Sequence, residues 1–193
     1  MTEVRESEHV AGVYVVEPTV HGDERGAFVE TYRREWIPGA REMIQTNRST
    51  KQAGALVGLH YHLHQADYWY NPVGTIRAVV HDLRHGGPTD GATDVIELSD
   101  TNHVGLFIPP GVAHGFAAQT DVVMTYLVDG YYNPADELGV AWDDPDVWVG
   151  WTAGDGPTEG WGVENPVMSA RDQQNPTRTD LPIDRRPTWP MRT

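Results

Sequence analysis

The chain has 193 residues, 39% of them hydrophobic, which is enough for one domain with a buried core. Its 14 Lys and Arg residues against 28 Asp and Glu residues give a formal net charge of -14, which argues against nucleic-acid or anionic-membrane partners. The chain contains no cysteine, so disulfides, thiolate metal ligands and thiol nucleophiles are all excluded.

Short runs rich in Val, Ile, Tyr, Thr and Trp recur along the chain between turn-forming residues, a rhythm typical of β-strands. The helix-like stretch 33–43 is interrupted by Pro38 and Gly39, which argues against alternating βαβ units. Closely spaced strands favour an all-β sandwich or barrel. The predicted strands are residues 13–16, 28–32, 68–70, 75–81, 94–98, 104–108 and 122–128.

We expect residues 1–193 to form a single domain, with an irregular segment from about residue 145, where the composition shifts to Trp, Gly, Pro and Asp. The N-terminus is polar and acidic rather than basic and then apolar, as a signal peptide would be. No run approaches the length of a membrane span. These features predict a cytoplasmic protein.

Three histidines alternate in the sequence Gly58-Leu-His-Tyr-His-Leu-His64. Alternate side chains of a strand share one face, so His60, His62 and His64 are predicted to point to the same side. Neutral imidazole can act as a metal ligand or as a base near neutral pH. With the carboxylate of Asp67 close behind, this strand is the predicted centre of a functional site.

The spacing of Gly54, His60, His62, Asp67 and Gly74 resembles the first cupin metal motif, with Asp where that superfamily usually has Glu. The segment Pro109-Pro-Gly-Val-Ala-His114 resembles the second cupin motif. The resemblance implies a cupin-type antiparallel β-barrel or jelly roll with a few short helices. One interpretation is a divalent transition metal held by three histidines and a carboxylate. Its ligands would be His60, His62, Asp67 and His114.

Longer segments, in order and spacing, extend the resemblance from about Val13 to Pro182. They are Gly22-Asp-Glu-Arg-Gly-Ala-Phe-Val-Glu30, Gln45-Thr-Asn47, Gly58-Leu-His60, Ile108-Pro-Pro-Gly-Val-Ala-His-Gly-Phe116, Thr125-Tyr-Leu127, Tyr131-Tyr-Asn-Pro134 followed by Glu137, Trp142-Asp-Asp-Pro145 and Ser169-Ala-Arg-Asp172. On these segments the chain resembles the dTDP-4-dehydrorhamnose 3,5-epimerase family, a metal-independent branch of the cupins. The resemblance implies an isomerase of deoxysugar biosynthesis that needs no cofactor and forms a homodimer.

In such an enzyme a base removes the proton α to a ketone, the enolate is stabilised, and an acid returns a proton to the opposite face. The substrate would be a dTDP-4-keto-6-deoxyhexose of the dTDP-rhamnose type, epimerised at C3, C5 or both. By resemblance, His60 is the base, oriented by Asp172, and Tyr126 is the acid, while Tyr132 stacks on the nucleotide base. The other implied substrate-binding residues are Arg25, Glu30, Gln45, Asn47, His114 and Glu137.

Two positions depart from the family pattern, and each removes positive charge. Asp67 aligns with a lysine that helps to stabilise the enolate oxygen, and Val57 stands where the family has an arginine that contacts the diphosphate. An ionised Asp67 cannot simply replace that lysine: either it is neutral, or it points away, or a cation sits on it. A metal-bound His60 could not also be the free base. The alternatives are therefore a metal-dependent cupin enzyme or a non-catalytic barrel that binds sugar nucleotides.

Overall fold

Strands dominate the computed structural model, which describes residues 1–148 and 160–191. Its thirteen strands there are Glu3–Glu6 (β1), Tyr14–Glu17 (β2), Val20–Asp23 (β3), Gly26–Val29 (β4), Gln45–Lys51 (β5), Leu56–Tyr61 (β6), Asp67–Val73 (β7), Thr75–Asp82 (β8), Thr93–Ser99 (β9), Gly105–Ile108 (β10), Val112–Ala118 (β11), Val122–Val128 (β12) and Leu138–Gly139 (β13). Short 3₁₀ helices span Arg34–Trp36, Pro145–Trp148, Asp172–Gln174, Arg178–Asp180 and Ile183–Arg185.

Two antiparallel sheets form the body of the protein. One has the strand order β1-β2-β10-β7-β12-β5 and the other has the order β13-β6-β11-β8-β9. Strands β3 and β4 pair only with each other, as a separate hairpin. The crossovers between sequence neighbours are those of a jelly roll, which confirms the predicted all-β architecture with only short helices.

The apolar core lies between the two sheets, because the inward face of each strand is hydrophobic along most of its length. Side chains from both sheets meet in it, including Val15, Trp69, Ile76, Leu106, Phe116 and Met124. Towards β5 this interface turns polar, since Gln45, Asn47 and Ser49 alternate with exposed residues along that edge strand. The space between the sheets therefore has an apolar floor and a polar wall.

The outer face of each sheet is also covered. Residues 32–43 pack on the six-stranded sheet, where Ile37 is buried with Tyr68 and Phe107. The chain after β12 covers the five-stranded sheet, where Trp161 is fully buried against the apolar residues of β6. This covering includes the 3₁₀ helices of the predicted irregular segment, although residues 149–159 of that segment lie outside the described residues.

A β-bulge where β6 faces β11 decides which side chains enter the space between the sheets. A Cβ on Gly58, whose φ is 113°, would lie 2.7 Å from the Cα of Gly115, so the two backbones touch there. The register between the strands shifts at this point. As a result Val57 and His60 both face inward, although strict alternation would place them on opposite faces, while Leu59 packs outside.

The predicted strands agree with the structure to within a few residues, and the run 122–128 matches β12 at both ends. β1, β3, β5, β11 and β13 were not predicted. The helix-like stretch 33–43 contains only the 3₁₀ helix Arg34–Trp36. Among the described residues, no helix is both long and apolar enough to cross a membrane.

Candidate active site

A cavity of about 240 Å³ lies between the sheets, walled by β5, β7 and β12 on one side and by β6 and β11 on the other. The loop between β12 and β13 forms its rim. Seven of the residues implied by the resemblance line it: Gln45, Asn47, His60, His114, Tyr126, Tyr132 and Glu137. The structure therefore gathers residues that are up to 92 positions apart in the chain, from Gln45 to Glu137, around one cavity.

His60 and Asp172 form a hydrogen-bonded pair at the wall of this cavity. The Nε2–H of His60 donates to Oδ1 of Asp172 over 2.7 Å, and the Asp172 side chain is only 5% exposed. Burial raises the pKa of Asp172, but the hydrogen bond and charge of His60, helped by Ser169 and the Gly58 backbone, outweigh it and hold that pKa below its ordinary value. Asp172 therefore stays ionised and fixes the tautomer of the imidazole.

The second nitrogen of His60 is the one available to take a proton. Its Nδ1 lies 3.7 Å from Oε1 of Glu137, which is also 3.6 Å from Nη1 of Arg171. Since Asp172 accepts the Nε2–H, Nδ1 carries a lone pair directed towards the cavity side. Once Nδ1 takes a proton, the imidazolium ring lies between two carboxylates, one at each nitrogen, which stabilises its positive charge.

Tyr126 reaches the cavity from β12, on the sheet opposite to His60. Burial raises the pKa of the Tyr126 hydroxyl, and the carboxylates of Asp67 and Glu137 raise it further. The phenol therefore remains protonated around neutral pH and can donate its proton. A base on one sheet and an acid on the other can approach a bound ring from opposite faces.

His62, Asp67 and His114 form a second, separate cluster, and all three side chains are buried. Nε2 of His62 lies 3.9 Å from Oδ1 of Asp67, and Nε2 of His114 lies 3.9 Å from Oδ2 of the same carboxylate. Burial lowers the pKa of His114 well below its ordinary value, against the opposing effect of Asp67. Only three of the four residues of the cupin-type metal interpretation thus come together, since His60 is paired with Asp172.

The prediction that His60, His62 and His64 share one face is wrong for His64. Strand β6 ends at Tyr61, and His64 lies in the following loop with its side chain exposed. The carboxylate of Asp136 accepts hydrogen bonds from the backbone N–H groups of Leu63 and His64, at 2.7 and 3.1 Å. These bonds end the extended run and turn the chain towards Asp67.

Arg25 and Glu30, by contrast, are not among the residues that line the cavity. Arg25 is exposed at the turn of the β3–β4 hairpin and pairs with Asp23, while Glu30 is exposed and pairs with Arg33. Within one copy of the chain they do not join the residues around His60. Their role in substrate binding stays a prediction.

Several lining residues were not predicted from the sequence, among them Ser49, Lys51, Gln65, Trp69, Phe116 and Met124. Among the described residues that line the cavity, Lys51 is the one lysine or arginine. Its Nζ lies 2.9 Å from Oγ of Ser49. The alternation along Gln45-Thr-Asn-Arg-Ser-Thr-Lys51 could have revealed both residues, because they fall on the same face as Gln45 and Asn47. Val57 lines the cavity without contributing charge.

Comparison with known proteins agrees with this geometry. The model of the dTDP-4-dehydrorhamnose 3,5-epimerase family matches residues 7–180. A dTDP-4-dehydrorhamnose 3,5-epimerase of Shigella flexneri is 33% identical over 171 residues, which cover 84% of this chain and 89% of that protein. One of Neisseria gonorrhoeae is 37% identical over 145 residues, which cover 72% of this chain and 44% of that protein.

A solved structure gives the same result for the fold. The dTDP-6-deoxy-D-glucose-3,5-epimerase of Legionella pneumophila, in complex with dTDP-4-keto-L-rhamnose, superposes with a TM-score of 0.85 at 26% identity. The superposition covers 98% of this chain and 99% of that one.

Proposed function

We propose, because this chain belongs to the dTDP-4-dehydrorhamnose 3,5-epimerase family, that it epimerises a dTDP-4-keto-6-deoxyhexose at C3, C5 or both. The observation that supports this most is the placement of the His60–Asp172 pair and of Tyr126 on opposite sheets around one cavity. Epimerisation requires a proton to leave one face of the sugar ring and to return on the other. This function belongs to the synthesis of deoxysugars, and a cytoplasmic location remains our prediction.

His60 is the proposed base. Its Nδ1 takes the proton α to the ketone, and the C–H electron pair passes to the carbonyl oxygen as an enolate. Asp172 and Glu137 stabilise the positive charge that His60 then carries. Tyr126 gives a proton to the same carbon from the other face, and exchange with solvent resets both groups.

The size of the cavity suggests how the substrate is divided. At about 240 Å³ it falls below the roughly 300–1,000 Å³ typical of sites that enclose a whole drug-sized ligand. We therefore place the sugar ring inside and the nucleotide at the rim. Tyr132, which is 67% exposed there, is the proposed stacking partner of the nucleotide base, with Gln45, Asn47 and His114 lining the path to the sugar.

A homodimer is the proposed assembly. Strand β1 is exposed along its whole length at the edge of the six-stranded sheet, so its free backbone groups can pair with a second copy. The β3–β4 hairpin exposes Phe28 and Val20 to 64% and 46%. Arg25 and Glu30 would contact substrate only if this hairpin reached the cavity of the other copy. Light scattering after size-exclusion chromatography tests the dimer.

Deuterium exchange tests the proposed reaction. Incubation of dTDP-4-keto-6-deoxyglucose with the protein in heavy water should add one deuterium per epimerised centre, counted by mass spectrometry. We expect His60→Gln to abolish the exchange and Tyr126→Phe to reduce epimerisation by at least about 100-fold. His64→Gln is the matched control, since His64 is exposed outside the cavity. Ligand binding without any exchange would instead identify a non-catalytic barrel.

A further inference from the structure

The buried cluster of His62, Asp67 and His114 has a property that the proposed reaction does not explain. Asp67 is 4% exposed, and its carboxylate faces two imidazole nitrogens at 3.9 Å, which is too far for hydrogen bonds. A buried carboxylate without a counter-charge is costly. The separation leaves a gap between the three side chains, all of which line the cavity.

The tautomers of both histidines follow from their backbone contacts. Nδ1 of His62 lies 2.8 Å from the carbonyl oxygen of Asp136, and Nδ1 of His114 lies 3.0 Å from that of Val112. A carbonyl oxygen only accepts, so each Nδ1 carries the hydrogen. Each Nε2 therefore presents a lone pair towards Asp67. Backbone carbonyls that fix histidine in this way are typical partners of metal-ligating imidazoles.

The carboxylate is oriented as well. Gln65 Nε2 donates to Oδ1 of Asp67 over 2.9 Å, and Trp69 Nε1 donates to Oδ2 over 3.2 Å. Each oxygen accepts one of these two bonds and retains a further lone pair, because a carboxylate oxygen can accept more than one hydrogen bond. The two Nε2 atoms and the carboxylate thus lie within 4.8 Å of one another, and neither Nε2 carries a hydrogen.

We propose that His62, Asp67 and His114 hold a divalent transition-metal ion. Two imidazoles and one carboxylate, with coordination positions left open, are a ligand set of Fe²⁺, Mn²⁺, Co²⁺, Ni²⁺ or Zn²⁺ enzymes. Donor atoms on one such ion lie about 3 to 3.5 Å apart when the bonds are near 2.1 Å. All three ligand atoms lie within 4.8 Å of one another, so the side chains must draw together by roughly 0.5 to 1.5 Å on binding.

This site removes the conflict between a metal at the histidine cluster and a free base. His60 is not a ligand, because its Nε2 is engaged by Asp172, and it keeps Nδ1 for the proton. In this part the inference rests on the proposed function. The ion would receive the ketone oxygen at an open position and stabilise the enolate when His60 takes the proton, which restores the positive charge lost at Asp67.

The test begins with the wild-type protein purified without chelators or a histidine tag. Elemental analysis should find about one transition-metal ion per chain, or Co²⁺ added to the chelator-stripped protein should bind at one site with the absorption spectrum of a nitrogen- and oxygen-ligated ion. We expect His62→Ala and Asp67→Asn to weaken Co²⁺ binding by more than about 100-fold. The loss of a residue that only hydrogen-bonds a metal ligand typically weakens binding by about 10- to 100-fold. His64→Ala, on the same segment, is the matched control and should bind Co²⁺ as the wild type does.

His60→Gln separates the metal from the base. Under this proposal it keeps the metal and loses deuterium exchange, whereas a His60-ligated ion would be lost. The Co²⁺ titration of the unmutated protein does not depend on whether a variant folds. If the chelator-stripped wild-type protein binds neither Co²⁺ nor Zn²⁺, the proposed metal site is wrong. If the stripped protein exchanges deuterium at full rate without metal, the ion has no role in the reaction, while the proposed epimerase activity stands.

Discussion

Replacing Asp172 by Asn should separate the chemical role of the His60–Asp172 pair from its structural role. Asn has nearly the same shape and its Oδ1 can still accept the Nε2–H of His60, so the change removes the charge and the acceptor-only character that fixes the imidazole tautomer. Asp172 is not among the residues that line the cavity, so the change leaves the cavity wall intact. The loss should therefore appear in kcat, with KM changed little.

The magnitude follows from the contact itself. A hydrogen bond to a charged acceptor contributes about 1.5–3 kcal/mol, and the 2.7 Å bond is largely shielded from water. The attraction is strongest once His60 has become positive, which happens as the proton is transferred. A loss of about 3 kcal/mol at that stage corresponds to a kcat roughly 100-fold lower.

The assay is the initial rate of deuterium uptake at several substrate concentrations, with a urea unfolding curve to verify that the variant is folded. Ser169→Ala provides a graded control, because Ser169 Oγ accepts the backbone N–H of Asp172 over 3.1 Å and its loss leaves the carboxylate in place. We expect that variant to lose less than about tenfold, as for a single neutral hydrogen bond. An Asp172→Asn protein with wild-type kcat, or with a change confined to KM, would refute the reasoning.

Three further outcomes are expected. Gly58→Ala should destabilise the fold by more than about 3 kcal/mol, because the new Cβ would meet a backbone atom at 2.7 Å, whereas Gly86→Ala, also at positive φ but with open space around it, should cost only about 1–2 kcal/mol in urea unfolding. Burial lowers the pKa of His81 to about 4, so the unfolded chain binds the proton more tightly than the folded chain does. The free energy of unfolding should therefore be at its full value above about pH 6.5 and fall by about 3 kcal/mol towards pH 4. Unfolding curves of His81→Gln should show less of this loss. Tyr132→Ala should weaken binding of dTDP by about tenfold or more in calorimetric titrations, and the equally exposed neighbour Tyr131 should tolerate the same change; equal effects at both positions would argue against stacking by Tyr132.

Local patterns in the sequence were enough to predict most strands that have an apolar face, including β7 and β12 beside the cavity, but not the polar strand β5 or the small-residue strand β11. The run 122–128 is rich in β-branched and other apolar residues and matches β12 at both ends. Strand β5 is polar throughout, because one of its faces lines the cavity and the other meets solvent, so it offers no hydrophobic period. Strand β11 is buried on both faces and so shows no alternation of apolar and polar residues. Its Gly and Ala residues have low strand propensity, so the segment was not predicted as a strand.

The fate of the three alternating histidines depended on contacts that are distant in sequence. Asp172, which pairs with His60, lies 112 residues away, and Asp136, which ends the extended run at His64, lies 72 residues away. No local pattern encodes such contacts. The whole-chain resemblance did place Asp172 beside His60, but it offered nothing equivalent for His62, where the pairing had to come from the folded structure.

The substitution at Asp67 is best understood together with its surroundings rather than as the loss of a lysine. A carboxylate that the fold merely tolerated would turn to solvent, where an exposed charge costs little. Asp67 is instead buried, oriented by Gln65 and Trp69, and faced by the lone pairs of His62 and His114. The hydrogen bonds from Gln65 and Trp69 stabilise the carboxylate in either case, whereas the two imidazole lone pairs that face it are unfavourable unless a cation lies between them. The substitution of Asp67 for lysine is therefore consistent with a bound cation as the source of positive charge at the enolate. The base at His60 is unaffected by this substitution.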